Sequence, residues 1–276
     1  MSGESRTGLL ADNVRLVENL RSQDAGQKGW QVPLKGTVSL AIHVPDAKRS
    51  QAGWMGVVTH EDTPVVLAIR LRFDKKRIIE AEHLFANLAD LSGEDLGAIY
   101  PELQSEIPDR ARKSDEELLR IGASYFNALD GNDGSLAPFS DQCKRIENGI
   151  RTAGTGATSP TEFDPYRPGV ARDCRSQIDS QAFVFIDKIE RRRMVGADPA
   201  TGLVMGFARF RHSMENLPYK VALEDGSTLQ VDKDNLPYDP FDLATAHIFK
   251  VGPDGTITTI AAVGVLAAYG APSPWD

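Results

Sequence analysis

Long hydrophobic runs, cysteines and clustered positive charge are all scarce in this 276-residue chain. No apolar run reaches the roughly 18 residues that a membrane-crossing helix needs. The opening Met1-Ser2-Gly3-Glu4-Ser5-Arg6 carries no apolar core of the signal-peptide kind, so a cytoplasmic location with no membrane partner is the expectation. Cys143 and Cys174 are the only cysteines, too few for a disulfide scaffold; the two could pair, but a reduced, partly buried state is expected for them in a cytosol. Five scattered histidines and no Cys or His cluster of zinc spacing give no expected metal. A formal charge of −8 argues against a phosphate-binding surface and hence against a nucleic-acid partner. The basic run Arg191-Arg192-Arg193 alternates faces in a strand and reads as a solvated sheet face. No dinucleotide fingerprint, Walker loop or nucleophile elbow is present.

What the chain does have is a motif that occurs twice. Residues 10–19 read Leu-Ala-Asp-Asn-Val-Arg-Leu-Val-Glu-Asn and residues 139–148 read Phe-Ser-Asp-Gln-Cys-Lys-Arg-Ile-Glu-Asn. Asp12 and Asp141 each stand six residues before a Glu-Asn pair, Glu18-Asn19 and Glu147-Asn148. A looser echo follows, with Ile69–Phe73, a charged turn and Ile78-Ile79 matching Ala246–Val251, a Pro-Asp-Gly turn and Thr256–Thr258. A spacing this long implies one domain type used twice rather than a solenoid of short units.

The periodicity predicts a short helix over 9–21 and strands over 37–43, 53–60, 64–73 and 77–85, the last four as an antiparallel meander. Ser114, followed by Asp115-Glu116-Glu117, opens a helix with an N-cap and an acidic first turn, and Asp130–Gly134 ends it. A second helical pair is expected over 135–150, loop over 151–173, strands over 182–195 and 203–212, irregular chain over 213–240, and a final hairpin over 244–251 and 256–264. The domains are accordingly 1–90, a connector 91–113, a longer module 114–270 and a tail 271–276.

The first module is rich in strand charges. Arg70 and Arg72 share one face of their strand, and Glu80 and Glu82 share one face of the next, with His83 opposite. If the turn at Asp74–Arg77 has odd parity, Arg70 faces Glu82 and Arg72 faces Glu80; with even parity His83 falls on the arginine face. One reading is a solvent-facing or intersubunit surface. The other is a polar pocket in which Arg70 polarises a substrate oxygen while Glu82 or His83 moves a proton, with His60, Arg72 and Trp54 contacting the substrate and His43 and Asp46 as weaker additions. Trp30 and Tyr125 are further aromatics placed to line a mouth, although burial in the core is the commoner fate of such residues.

The run Tyr125–Gly134 followed by Pro138–Asp141, with the close Phe249-Lys250-Val251 … Asp254–Ile257, resembles the nuclear transport factor 2-like (SnoaL-like) superfamily over 114–268. The two Asp-x5-Glu-Asn motifs and the Cys174-Arg175 start resemble a tandem, uncharacterised branch of it. The resemblance implies an α+β fold of two cone-shaped, barrel-like modules, each a curved antiparallel sheet covered by helices, the first lacking its opening helix. It implies catalysis without metal or organic cofactor, by acid–base groups in a dry pocket. Tyr125 as hydrogen-bond donor and Asp141 as base are the positions it points to; His247, alternating with Thr245 and Phe249 in its strand, reads either as a satisfied half-buried residue or as a proton carrier, with Phe249 as a substrate contact. Asp141 has a competing reading as the cap of a helix over 143–148, strengthened by its recurrence at Asp12. The activity implied is that of a lyase, dehydratase or isomerase acting on a small apolar or aromatic molecule, with formaldehyde-releasing lyases of lignin-derived aromatics among the superfamily's members. The alternative is a non-catalytic ligand-binding or oligomerisation module. A homo-oligomer, dimer or trimer, is expected by fold analogy.

Overall fold

The computed structural model describes residues 9–23, 38–60, 63–87, 101–154 and 173–275. Trp30 and Glu61 lie outside them, as does the side chain of His60. Six strands form the first sheet: β1 (Leu10–Glu18), β2 (Arg21–Gln23), β3 (Val38–Asp46), β4 (Gln51–His60), β5 (Thr63–Asp74) and β6 (Arg77–Asn87). Helix α1 (Asp115–Gly131) and strands β7 (Phe139–Glu147) and β8 (Ile150–Ala153) follow, then the short helix α2 (Cys174–Asp179). Strands β9 (Lys188–Asp198), β10 (Leu203–His212), β11 (Tyr219–Ala222), β12 (Thr228–Val231), β13 (Phe241–Val251) and β14 (Ile257–Ala268) complete the order.

The first sheet runs β2-β1-β6-β5-β4-β3 and the second β8-β7-β14-β13-β10-β9. These are the same connectivity, with the β11–β12 hairpin inserted between β10 and β13 where only two residues separate β4 and β5. Both sheets are mixed rather than antiparallel, because β1 pairs parallel with β6 and β7 parallel with β14. Neither closes into a barrel. No described helix precedes β1.

The repeated motif is therefore strand, not helix, in both copies. Short apolar runs such as Val14–Val17 satisfy either period, and pairing with β6 and β14 decides for strand. What recurs is a clamp. Asn19 and Asn148 each adopt a left-handed backbone, φ 44° and 49°, a conformation Asn tolerates well. Asn19 accepts from Phe85 N (3.0 Å) and donates to Phe85 O (3.3 Å), while Asn148 accepts from Gly264 N (2.9 Å) and donates to Gly264 O (3.0 Å). Each Asn thus turns the chain into the edge hairpin and locks it to the neighbouring strand. Asp141 is exposed on β7 and caps no helix.

Helix α1 forms as its sequence predicts. The Ser114 hydroxyl accepts from Glu117 N (3.2 Å), and Asn132 ends the helix with φ 48°. Its apolar face, with Leu118, Ile121, Tyr125, Phe126 and Leu129, is buried on the second sheet. Gly122 is required there, since a Cβ would stand 2.9 Å from both Met194 and Val204.

The opposite face of the second sheet packs on the first sheet. Ile42, Val44, Met55, Val66 and Leu84 from one side and Met205, Phe207, Ala246, Ile248 and Val263 from the other make one buried apolar layer. The approach is close enough that a Cβ on Gly53 would lie 2.3 Å from Met205 Sδ. The connector joins this layer through Leu103, and Lys250 Nζ donates to Ser105 O (2.5 Å) and Thr201 O (2.6 Å).

Cys143 and Cys174 are not reduced; they form a disulfide. Both are fully buried, and the bridge ties the first residue of α2 to β7 across 31 residues of sequence. The sequence expectation failed because pairing depends on folding α2 back against β7, which spacing does not reveal.

Candidate functional site in the second cone

Between α1 and the second sheet lies a buried cluster of polar groups. Arg145 projects from β7 and is fully buried. Its Nε donates to Thr152 Oγ1 (3.0 Å) and stands 3.2 Å from Glu147 Oε1, while NH2 donates to Gln177 Oε1 (2.5 Å). Gln177 is fixed in turn by donating to Thr152 O (2.9 Å). The disulfide at Cys174 holds α2 so that Gln177, one turn on, reaches the guanidinium. The Phe183 ring lies 4.7 Å from Arg145 Cζ, a cation–π contact.

Tyr125 comes from α1 and His247 from β13. Their ring centroids are 5.4 Å apart, and Phe249 stacks parallel to His247 at 5.7 Å. Tyr125 is completely buried and His247 is 1% exposed. Burial pushes the Tyr125 hydroxyl up to about 12; the Arg145 charge opposes this without completing a well-formed hydrogen bond to the hydroxyl. Burial, assisted by the Arg145 charge, lowers His247 to about 3, so the imidazole is neutral at pH 7. Tyr125 Oη and His247 Nδ1 have no hydrogen-bond partner. Most buried polar atoms in a folded protein are paired, so two unpaired ones beside a buried cation are an exception that needs a cause. Chemically the cluster offers a neutral donor, a neutral acceptor and a fixed positive charge, all buried.

The other sequence candidates lie elsewhere. Register pairs Arg70 with Glu82 and Arg72 with Glu80, the odd-parity arrangement. Arg70, Glu80 and Glu82 face the layer between the two sheets, with Arg70 Nε 3.3 Å from Glu82 and NH2 2.6 Å from Glu80. Arg72 is exposed, 3.2 Å from Glu80. His83 is on the opposite face, where burial lowers it to about 4 against the pull of Glu82. Trp54 lies in a row with His43 and Ile69, at a cavity of about 480 Å³ lined also by Val38, Ala41 and Leu71. Arg145 and Gln177 were missed by sequence reasoning. The signal for Arg145 was its place in the repeat, where the first copy has Leu16: a charge replacing an apolar residue at a buried position. Arg193 was also missed; it donates twice to the buried Glu82 carboxylate, at 2.6 and 2.8 Å, rather than facing solvent.

Among the described residues no group of three or more His, Cys, Asp or Glu is placed to hold a metal ion. No described helix is long and apolar enough to cross a membrane.

A family model described as a domain of unknown function (DUF8021) matches residues 111–264, more than half of the chain. The chain belongs to the DUF8021 family. The matched span of this DUF8021 member holds α1, the disulfide and the whole Tyr125–Arg145–His247 cluster. No curated protein matches the sequence. Solved structures similar to it include the epoxide hydrolase/cyclase-like enzyme SalBIII, at 12% identity and a TM-score of 0.34, covering 56% of this chain and 97% of that one. AusH from Aspergillus nidulans is similar at 11% identity and a TM-score of 0.31, covering 55% and 86%. An NTF2-like protein of unknown function from Exiguobacterium sp. 255-15 is similar at 15% identity and a TM-score of 0.28, covering 52% and 98%. At these scores the likenesses carry no argument about function. On its own topology, the DUF8021 chain lays a helix on a mixed six-stranded sheet whose strand order occurs twice in tandem.

Proposed function

We propose that this protein binds a small, largely apolar molecule bearing a carbonyl or phenolic oxygen in the second cone and moves a proton on it without a cofactor. In this reading Tyr125 and Arg145 stabilise a developing oxyanion, and the neutral His247 takes the proton. Phe249 and Phe126 supply the apolar walls. The observation that supports it is the pair of unpaired buried atoms, Tyr125 Oη and His247 Nδ1, beside the Arg145 charge. A bound polar substrate group would satisfy both.

The reaction class is that of an isomerase, dehydratase, cyclase or lyase. Release of formaldehyde from a lignin-derived aromatic is one member of the class. The disulfide favours an oxidising compartment over the cytoplasm. The chain works as two modules, 1–90 and 114–270, whose facing sheets already occupy one another.

The test is proton exchange. Enolisable ketones, phenols and polyketide-like aromatics are incubated with the protein in deuterium oxide and followed by proton NMR. The proposal expects loss of an α-proton signal that is abolished in His247→Gln and strongly slowed in Tyr125→Phe, both still melting cooperatively. Exchange equally fast in all three proteins sinks it. A second reading, non-catalytic capture of a flat apolar ligand, is favoured by the Trp54 cavity of the first module, whose lining is apolar apart from His43. Binding there without exchange chemistry would be lost in Trp54→Ala.

A further inference from the structure

Between the two sheets, away from the cone, lies a small cavity of about 20 Å³ whose walls include Glu82, Arg191, Arg193, Arg209, Ser273 and Trp275. Two of its walls are guanidinium groups whose charges are met, Arg193 by Glu82 and Arg209 by Asp242, but whose N–H groups are not all used. Arg209 is 3% exposed, and its Nε and NH2 have no hydrogen-bond partner. Its NH1 donates to Ala271 O (2.5 Å) and lies 3.6 Å from Asp242, its nearest counter-charge. The Nε of Arg193 is also buried and without a partner.

Glu82 cannot serve these donors. Its two oxygens already accept from Arg70 Nε (3.3 Å), both terminal nitrogens of Arg193 (2.6 and 2.8 Å) and Trp275 Nε1 (2.9 Å). Four donors fill the roughly four acceptor sites of a carboxylate. The Thr245 hydroxyl on the same wall is spent on Ala208 O (3.2 Å). The cavity is large enough for one water or one monatomic ion, and no larger species fits while Trp275 stays in place. A water accepts only two hydrogen bonds and brings two hydrogens that need acceptors of their own. A monatomic anion accepts from all three of these N–H groups and brings no hydrogen that needs an acceptor.

We infer that this cavity is a halide site, with chloride held by Arg209 Nε and NH2 and by Arg193 Nε and sealed by Trp275. The anion joins the second sheet to the C-terminal segment, because its ligands come from β9 and β10 and its seal from residue 275. The Trp275 ring is itself gripped by the guanidiniums of Arg70 (4.7 Å), Arg193 (5.1 Å) and Arg15 (5.2 Å). The site is independent of the chemistry proposed for the cone.

The experiment is thermal unfolding of the full chain in sodium chloride, bromide or gluconate at one fixed ionic strength. A ligand that binds only the folded state raises the melting temperature in a saturable, concentration-dependent way. Chloride and bromide should raise it by several degrees over gluconate, and Arg209→Gln should remove the difference. Crystals grown in bromide should show an anomalous peak between Arg193 and Arg209, a measurement that holds even if the variant fails to fold. Identical melting in chloride and gluconate, a halide response retained by Arg209→Gln, or a water without anomalous signal at that position would each overturn the inference.

Discussion

Replacing Glu82 by Gln should cost this protein several kcal/mol of stability, far more than a change at the exposed Arg72 of the same sheet. The carboxylate is 1% exposed and accepts from Arg70, Arg193 and Trp275. An amide of the same shape turns one acceptor oxygen into a donor facing these N–H groups, takes from Arg193 the carboxylate it pairs with, and leaves Arg70 with Glu80 alone. Removing one partner of a buried ion pair typically costs about 3–5 kcal/mol. A chain of this size loses about 2–4 °C of melting temperature per kcal/mol, so the expected fall is on the order of 10 °C. Arg72→Ala is the internal control: its pair with Glu80 is half exposed, and such pairs contribute about 1 kcal/mol or less. Urea unfolding followed by tryptophan fluorescence measures both. Because Trp275 donates to Glu82, the native fluorescence should also change in Glu82→Gln before unfolding begins. If Glu82→Gln melts within 1 °C of the parent, the cluster does not hold the sheets together and the reasoning fails.

Further outcomes follow from the same structure. Asn19→Ala and Asn148→Ala should each destabilise by about 1–2 kcal/mol, since each loses two hydrogen bonds and a favourable left-handed residue; equal losses in the two copies would bear out their shared role, and unequal ones would deny it. Tyr125→Phe should leave stability within about 1 kcal/mol, because the hydroxyl has no partner to lose, and a larger loss by chemical denaturation would mean the hydroxyl is structural. His83, His212 and His247 are held by burial at about 4, 4 and 3. Their folded pKa values lie below the ordinary value near 6.5, so the unfolded chain binds more protons and stability falls as pH drops from about 6.5 towards 4, at about 3 kcal/mol per histidine at the acid end. Above pH 7 they contribute no slope, and a flat profile between pH 4 and 6.5 would contradict their burial. Reduction of the Cys143–Cys174 bridge should lower stability by about 2–4 kcal/mol, read as a melting shift in dithiothreitol.

The sequence carried the repeat and its consequence, one sheet order used twice, because identical spacing survives even where residues change. It did not carry the identity of the repeated element. Leu16-Val17 and Arg145-Ile146 sit in runs too short for a helical period to differ from a strand, and only the parallel partner strands resolve it. The Arg70–Glu82 register was one of two options readable from the charges, and the tight Asp74–Arg77 turn selects between them. What those charges face was not readable, since it depends on the second sheet and on Trp275 arriving from the far end of the chain. For the same reason the cone cluster was half visible. Tyr125 and His247 were legible as polar atoms on apolar faces, while Arg145, Gln177 and the disulfide that positions them are brought together only by the fold.

The most direct test of the central claim is where a ligand binds. A thermal-shift screen of apolar phenols, ketones and polyketide-like aromatics, run in parallel on the parent, Tyr125→Phe and Trp54→Ala, separates the two cones. At least one compound should give a stabilising shift that persists in Trp54→Ala and is lost in Tyr125→Phe. A shift lost in Trp54→Ala and untouched in Tyr125→Phe would contradict the central claim and move the working site to the first module.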